Sequence, residues 1–203
     1  MNRDSVFALA HVGAFAALLF LGGCAYQDIN PEAAAADEKA NGVHAALRGV
    51  DAGTAKLVFR ASGAGHAARY SVSTASEACQ GFEPVGNVAY SGRGVLLPWI
   101  ANMTERTRGA VLNTQTHISR TAQPGQSIQV RGMGNWQEGS GLFSRSGNCG
   151  PLASRFTPVA GRAYLIDFVW RRDLSCSMVV TDSTDPDVPA IVPADVLTGC
   201  AKP

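Results

Sequence analysis

Beyond residue 53, apolar and polar residues alternate in short runs broken by glycine and proline, the pattern of strands that lay one face on a core. In residues 54–60, Ala55, Leu57 and Phe59 share one face and Lys56, Val58 and Arg60 the other. Residues 69–74 repeat the period, with Tyr70 and Val72 against Ser71 and Ser73, and Gly63-Ala64-Gly65 between the two runs predicts a hairpin. A third strand is expected over 85–90. The apolar run 95–100 follows the turn Gly92-Arg93-Gly94, and its Pro98 predicts a sheet edge. Residues 114–120 and 126–131, joined across Pro124-Gly125, predict a second hairpin. Late in the chain, 162–169 sets Ala163, Leu165 and Asp167 opposite Tyr164, Ile166 and Phe168. Residues 175–181 are expected to return beside it through Arg171-Arg172-Asp173.

Between these runs, residues 132–155 hold six glycines and few branched residues, so they predict a long surface excursion pinned by Cys149 and a natural contact surface. Seven or eight strands are enough for an all-β fold, a two-sheet antiparallel β-sandwich over 53–203. Composition agrees: 22 glycines and 10 prolines suit turns, and 46% hydrophobic residues can bury a core in one domain. Net charge is +1 and no basic cluster is present, so nucleic acid is not an expected partner.

The amino terminus follows a different grammar. Arg3 precedes an apolar stretch from Val6 to Leu21, which ends in Leu21-Gly22-Gly23-Cys24 before the composition turns polar. The stretch is shorter than the roughly 20 apolar residues a permanent spanning helix needs. Leu21-Gly22-Gly23-Cys24 resembles the lipobox of bacterial lipoproteins. The resemblance implies cleavage before Cys24, a diacylglyceryl group on its thiol and often acylation of the freed amine. Ala25, in place of Asp, implies outer-membrane sorting, whereas Asp4 departs from the usual positive leader. Two or three acyl chains at about 0.8 kcal/mol per buried methylene would anchor the chain essentially permanently. Residues 1–23 thus read as a signal peptide, and 24–52 as a lipidated tether with little fixed structure beyond a short helix.

With Cys24 set aside, Cys79, Cys149, Cys176 and Cys200 form an even set, which predicts two disulfides. Three pairings are open. Cys176 with Cys200 and Cys79 with Cys149 is the favoured one, since it would staple the carboxyl-terminal tail to the strand near residue 176. No C-x-x-C spacing is present and His44, His66 and His117 lack a nearby ligand, so no metal or other cofactor is expected. Asp182, Asp185 and Asp187, interrupted by Pro186, read as a solvated turn rather than a calcium loop.

A second resemblance lies in residues 55–60, Gln123-Pro124-Gly125-Gln126 and Phe156-Thr157-Pro158-Val159-Ala160-Gly161-Arg162-Ala163-Tyr164. These look like segments of small envelope lipoproteins whose β-sandwich begins a core strand at a Gly-Lys/Arg-x-Tyr stretch. It implies fold and location and brings no catalytic residues. No nucleophile elbow, phosphate loop or local carboxylate pair is found in the sequence.

Trp170 is expected in the core. Trp136 is open between packing and exposure, and exposed beside Met133, Leu142 and Phe143 it would form a docking patch. Trp136 and Phe143 are therefore the candidate partner-binding residues. Arg106, Arg108 and Arg120 read as a solvated face, with acidic surfaces or lipid head groups as the alternative. The resulting expectation is a non-enzymatic, outer-membrane, lipid-anchored interaction module facing the periplasm, with an envelope protein as the possible partner. Its rival is a small-ligand carrier or enzyme whose groups converge only in three dimensions.

Overall fold

The computed structural model describes residue 39 and residues 42–89, 115–138 and 144–200. Among the described residues, helix α1 (Val43–Leu47) precedes ten strands: β1 (Ala55–Gly63), β2 (Ala67–Ser73), β3 (Glu83–Ala89), β4 (His117–Ala122), β5 (Ile128–Glu138), β6 (Arg145–Phe156), β7 (Ala163–Trp170), β8 (Cys176–Asp182), β9 (Ala190–Ile191) and β10 (Asp195–Leu197). They form two five-stranded sheets, ordered β4-β1-β7-β8-β9 and β10-β6-β5-β2-β3, packed as a β-sandwich. Strand neighbours run antiparallel except β1 and β7, which are parallel, so the first sheet is mixed where a purely antiparallel one was expected.

The alternation read from the sequence sets the layers. Leu57 and Phe59 from β1 and Tyr164, Ile166, Phe168 and Trp170 from β7 face Tyr70, Val130 and Phe156 of the other sheet, all at most 4% exposed. Tyr70 bridges the sheets: its hydroxyl donates to the Arg60 carbonyl at 2.6 Å and lies 3.2 Å from that of Ile166. The opposite face of the first sheet is also apolar. There Val58, Ala163 and Leu165 pack against Val43 and Leu47 of α1. Lys56 Nζ caps the end of that helical segment by donating to the carbonyls of Arg48 (2.6 Å) and Gly49 (3.2 Å). The tether was expected to hold a short helix, and 43–47 is one; it is docked on the sheet where little fixed structure was expected.

Both expected hairpins are instead arches between sheets. β1 and β2 lie in different sheets, as do β4 and β5. Gly63, at φ +89°, turns the chain where a Cβ would stand 2.0 Å from the Trp170 carbonyl oxygen. At the second arch the Gly125 N–H donates to the Pro158 carbonyl at 2.8 Å. Period-two alternation is the same in a hairpin and in an arch, so the partner strand cannot be read from it.

The surface excursion over 132–155 is also overturned, since β5 and β6 pair through most of it. Gly132, Gly134 and Gly147 are strand residues that make room for aromatic rings. A Cβ on Gly132 would lie 2.8 Å from Phe168 Cδ2, one on Gly134 2.0 Å from Trp170 Cζ2, and one on Gly147 2.6 Å from Trp136 Cζ2.

All four expected cysteines are bridged, but as Cys79–Cys200 and Cys149–Cys176, with Cα atoms 4.9 and 6.1 Å apart. The favoured pairing fails because the tail changes sheets: β9 lies beside β8, whereas β10 lies along β6 and carries Cys200 away from Cys176. Cys176 is level with Trp170 and Cys149 with Gly134, the residue beneath the Trp170 ring, so that bridge ties the two sheets together.

Candidate functional site

On the outer face of the first sheet a charged pair sits among apolar residues. Parallel register sets Arg60 of β1 directly against Asp167 of β7. Asp167 Oδ2 accepts from Arg60 Nη2 (2.7 Å) and Nε (3.0 Å) and from Ser62 Oγ (3.0 Å). The two side chains are only 15% and 11% exposed. Asp167 Oδ1 is buried and has no hydrogen-bond partner among the described residues. Such an acceptor is uncommon in a folded protein and asks for a donor.

A groove of about 250 Å³ lies over this pair. Leu47 of α1, Val169, Val179, Pro186 and Pro189 line it beside the ion pair, together with the polar Thr181 and Ser183. The segment bearing the prolines is fixed by its own turn. Asp182 Oδ1 accepts from the Thr184 N–H (3.1 Å) and hydroxyl (2.6 Å), its Oδ2 binds Arg162 Nη1 at 2.8 Å, and Asp185 Oδ1 accepts the Asp187 N–H at 3.1 Å. Asp182 and Asp185 thus shape a turn. Among the described residues no three histidine, cysteine or acidic side chains converge on a possible metal position.

A second, more open cavity of about 410 Å³ sits at one end of the sandwich, lined by Ala64, His66, Glu138, Arg172 and Leu174. The His66 ring stands edge-on to Trp170 at 5.1 Å. The outer face of the other sheet is closed by residues 74–82. Gln129, fully buried, donates to the Ala75 and Glu77 carbonyls (2.8 and 2.7 Å) and accepts from the Cys79 N–H (2.8 Å). Arg131 sits 4.3 Å above the Phe82 ring.

Of the residues singled out from sequence, Trp170 is fully buried and Trp136 half-buried over Gly147. Arg120 is exposed and donates to the Val85 carbonyl at 3.1 Å. Cys24, Arg106, Arg108, Leu142 and Phe143, and the strand proposed over 95–100, lie outside the described residues. Sequence reasoning missed the Arg60–Asp167 pair, because only the parallel β1–β7 register joins residues so far apart in the chain. A signal was present: Asp167 is the lone charge in Ala163–Trp170. The chain matches no protein-family model, no curated protein and no solved structure.

Proposed function

We propose that this chain is a lipid-anchored envelope protein, cut before Cys24 and held in the outer membrane by acyl chains on that residue. Its β-sandwich faces the periplasm as a non-enzymatic interaction module. The observation that carries this reading is the cysteine inventory. Cys79, Cys149, Cys176 and Cys200 pair with one another, which suits an oxidising compartment, and the fifth cysteine is the one in the lipobox-like Leu21-Gly22-Gly23-Cys24.

Among the described residues no helix is long and apolar enough to cross a membrane, and in this reading attachment falls to the lipid. Between Cys24 and Val43 the chain can extend at most about 65 Å, so the sandwich would work within that distance of the bilayer. The groove beside α1 supports a binding role, since it offers a concave surface over a charged pair whose carboxylate keeps one buried oxygen without a donor among the described residues.

Mass spectrometry of the protein isolated from bacterial membranes tests the anchor. The expected species begins at residue 24 and carries a diacylglyceryl group, and Cys24→Ala moves the protein to the soluble fraction. An unmodified residue 24, or a leader still attached, overturns the reading.

A further inference from the structure

We propose that the groove over Arg60 and Asp167 receives a lysine side chain of a partner polypeptide. The inference deepens the interaction-module reading and rests on it, and it follows from four features of the groove.

The first is the acceptor. Asp167 is 8% exposed, its Oδ2 is held by Arg60 and Ser62, and its Oδ1 has no donor among the described residues. An ammonium carries three donors and no acceptor, so it supplies what Oδ1 lacks. Because Oδ1 is shut off from solvent, the ammonium reaches it as the carboxylate turns slightly about its Cβ–Cγ bond on entry.

The second feature is the wall chemistry. Leu47, Val169, Val179, Pro186 and Pro189 give a mostly apolar sleeve, with Thr181 and Ser183 its polar members besides the ion pair, which matches the four methylenes of a lysine stem. Size is the third. About 250 Å³ lies below the roughly 300–1,000 Å³ of sites for drug-sized ligands, and one lysine side chain fits within it while its backbone remains outside.

Charge is the fourth. Asp185 and Asp187 are exposed and flank the lining residue Pro186 in sequence, so carboxylates stand beside the rim of the groove, while Arg60 is paired with Asp167. That balance draws a cation and repels a carboxylate.

The test follows the methyl resonances of Val169 and Val179 in the full chain as purified from bacterial cells. The titrants are Nα-acetyl-lysine methylamide, the norleucine derivative of the same length, and n-butylamine. The lysine derivative is expected to shift these methyls with at least about tenfold higher affinity than norleucine, the difference a charge-assisted hydrogen bond supplies. Asp167→Asn is expected to erase that difference. Val179→Trp, which fills the sleeve and leaves the ion pair in place, is expected to abolish binding, and it decides the matter if Asp167→Asn does not fold.

Equal binding of norleucine, or no shift with any titrant, overturns the proposal. Binding of butylamine without the lysine derivative overturns the polypeptide occupant. Failure here with Cys24 acylated leaves the anchored module standing, and lysine binding by a chain with an unmodified residue 24 removes the anchor and leaves the groove.

Discussion

Arg60 and Asp167 stand opposite each other in the parallel pairing of β1 and β7, joined by two guanidinium N–H bonds to a single carboxylate oxygen. Both side chains are largely buried. Removing either residue breaks the largely buried pair, so Arg60→Ala and Asp167→Ala are each expected to lower stability by about 3 kcal/mol. A double replacement, Arg60→Met with Asp167→Leu, restores apolar packing and is expected to lie within about 1 kcal/mol of the parent. Urea unfolding measures all three. A double variant that loses the sum of the single effects would show that the two residues are not coupled.

Gln129 fastens the 74–81 segment from below through three hydrogen bonds. Gln129→Leu has similar bulk but leaves two carbonyls and one N–H without their partner. The expected loss is about 2–3 kcal/mol. Amide hydrogen exchange separates this from a global effect: the Cys79 N–H should lose protection more than the amides of β1 and β7.

Much of the layering was legible in the sequence, since the alternation of Ala55, Leu57 and Phe59 and of Tyr164, Ile166 and Phe168 gives the core faces as found. Strand partners were not legible, because Gly63-Ala64-Gly65 can close a hairpin or arch between sheets with the same residues. The glycines of 132–155 misled for a related reason. Gly132 and Gly134 lack side chains to leave room for Phe168 and Trp170, which arrive from a strand some thirty residues later. The groove shares that origin, as its floor is assembled by a long-range parallel register. Gly134→Ala is a direct check. With a Cβ 2.0 Å from Trp170 Cζ2, the ring must shift, and a loss of about 3 kcal/mol or more, with a changed Trp fluorescence spectrum, is expected.

Non-reducing peptide mapping should recover Cys79 linked to Cys200 and Cys149 linked to Cys176. The bridges span 121 and 27 residues, which in the chain-entropy model constrain the unfolded state by about 5 and about 3.5 kcal/mol. Replacing Cys79 and Cys200 by serine is therefore expected to cost more than replacing Cys149 and Cys176. The reverse order would mean that the tie between the two sheets outweighs the loop-length difference.

Tyr70 supplies a pH signature. Complete burial, reinforced by the nearby Asp167 charge, raises its phenol well above the ordinary tyrosine value. Unfolding releases the phenol to that ordinary value of about 10. Below pH 10 both states hold the proton and stability does not depend on it. Above pH 10 the unfolded chain loses the proton while the folded chain keeps it, so stability falls, by up to about 1.4 kcal/mol per pH unit, until the folded phenol itself ionises. Tyr70→Phe removes the hydrogen bond to the Arg60 carbonyl and should cost about 1 kcal/mol at pH 8. Its alkaline slope should be shallower, so as pH rises from 8 to 11.5 the two stability curves converge above pH 10 and cross at about pH 10.5–11. Parallel curves in urea unfolding over that range would mean that Tyr70 does not carry the alkaline loss.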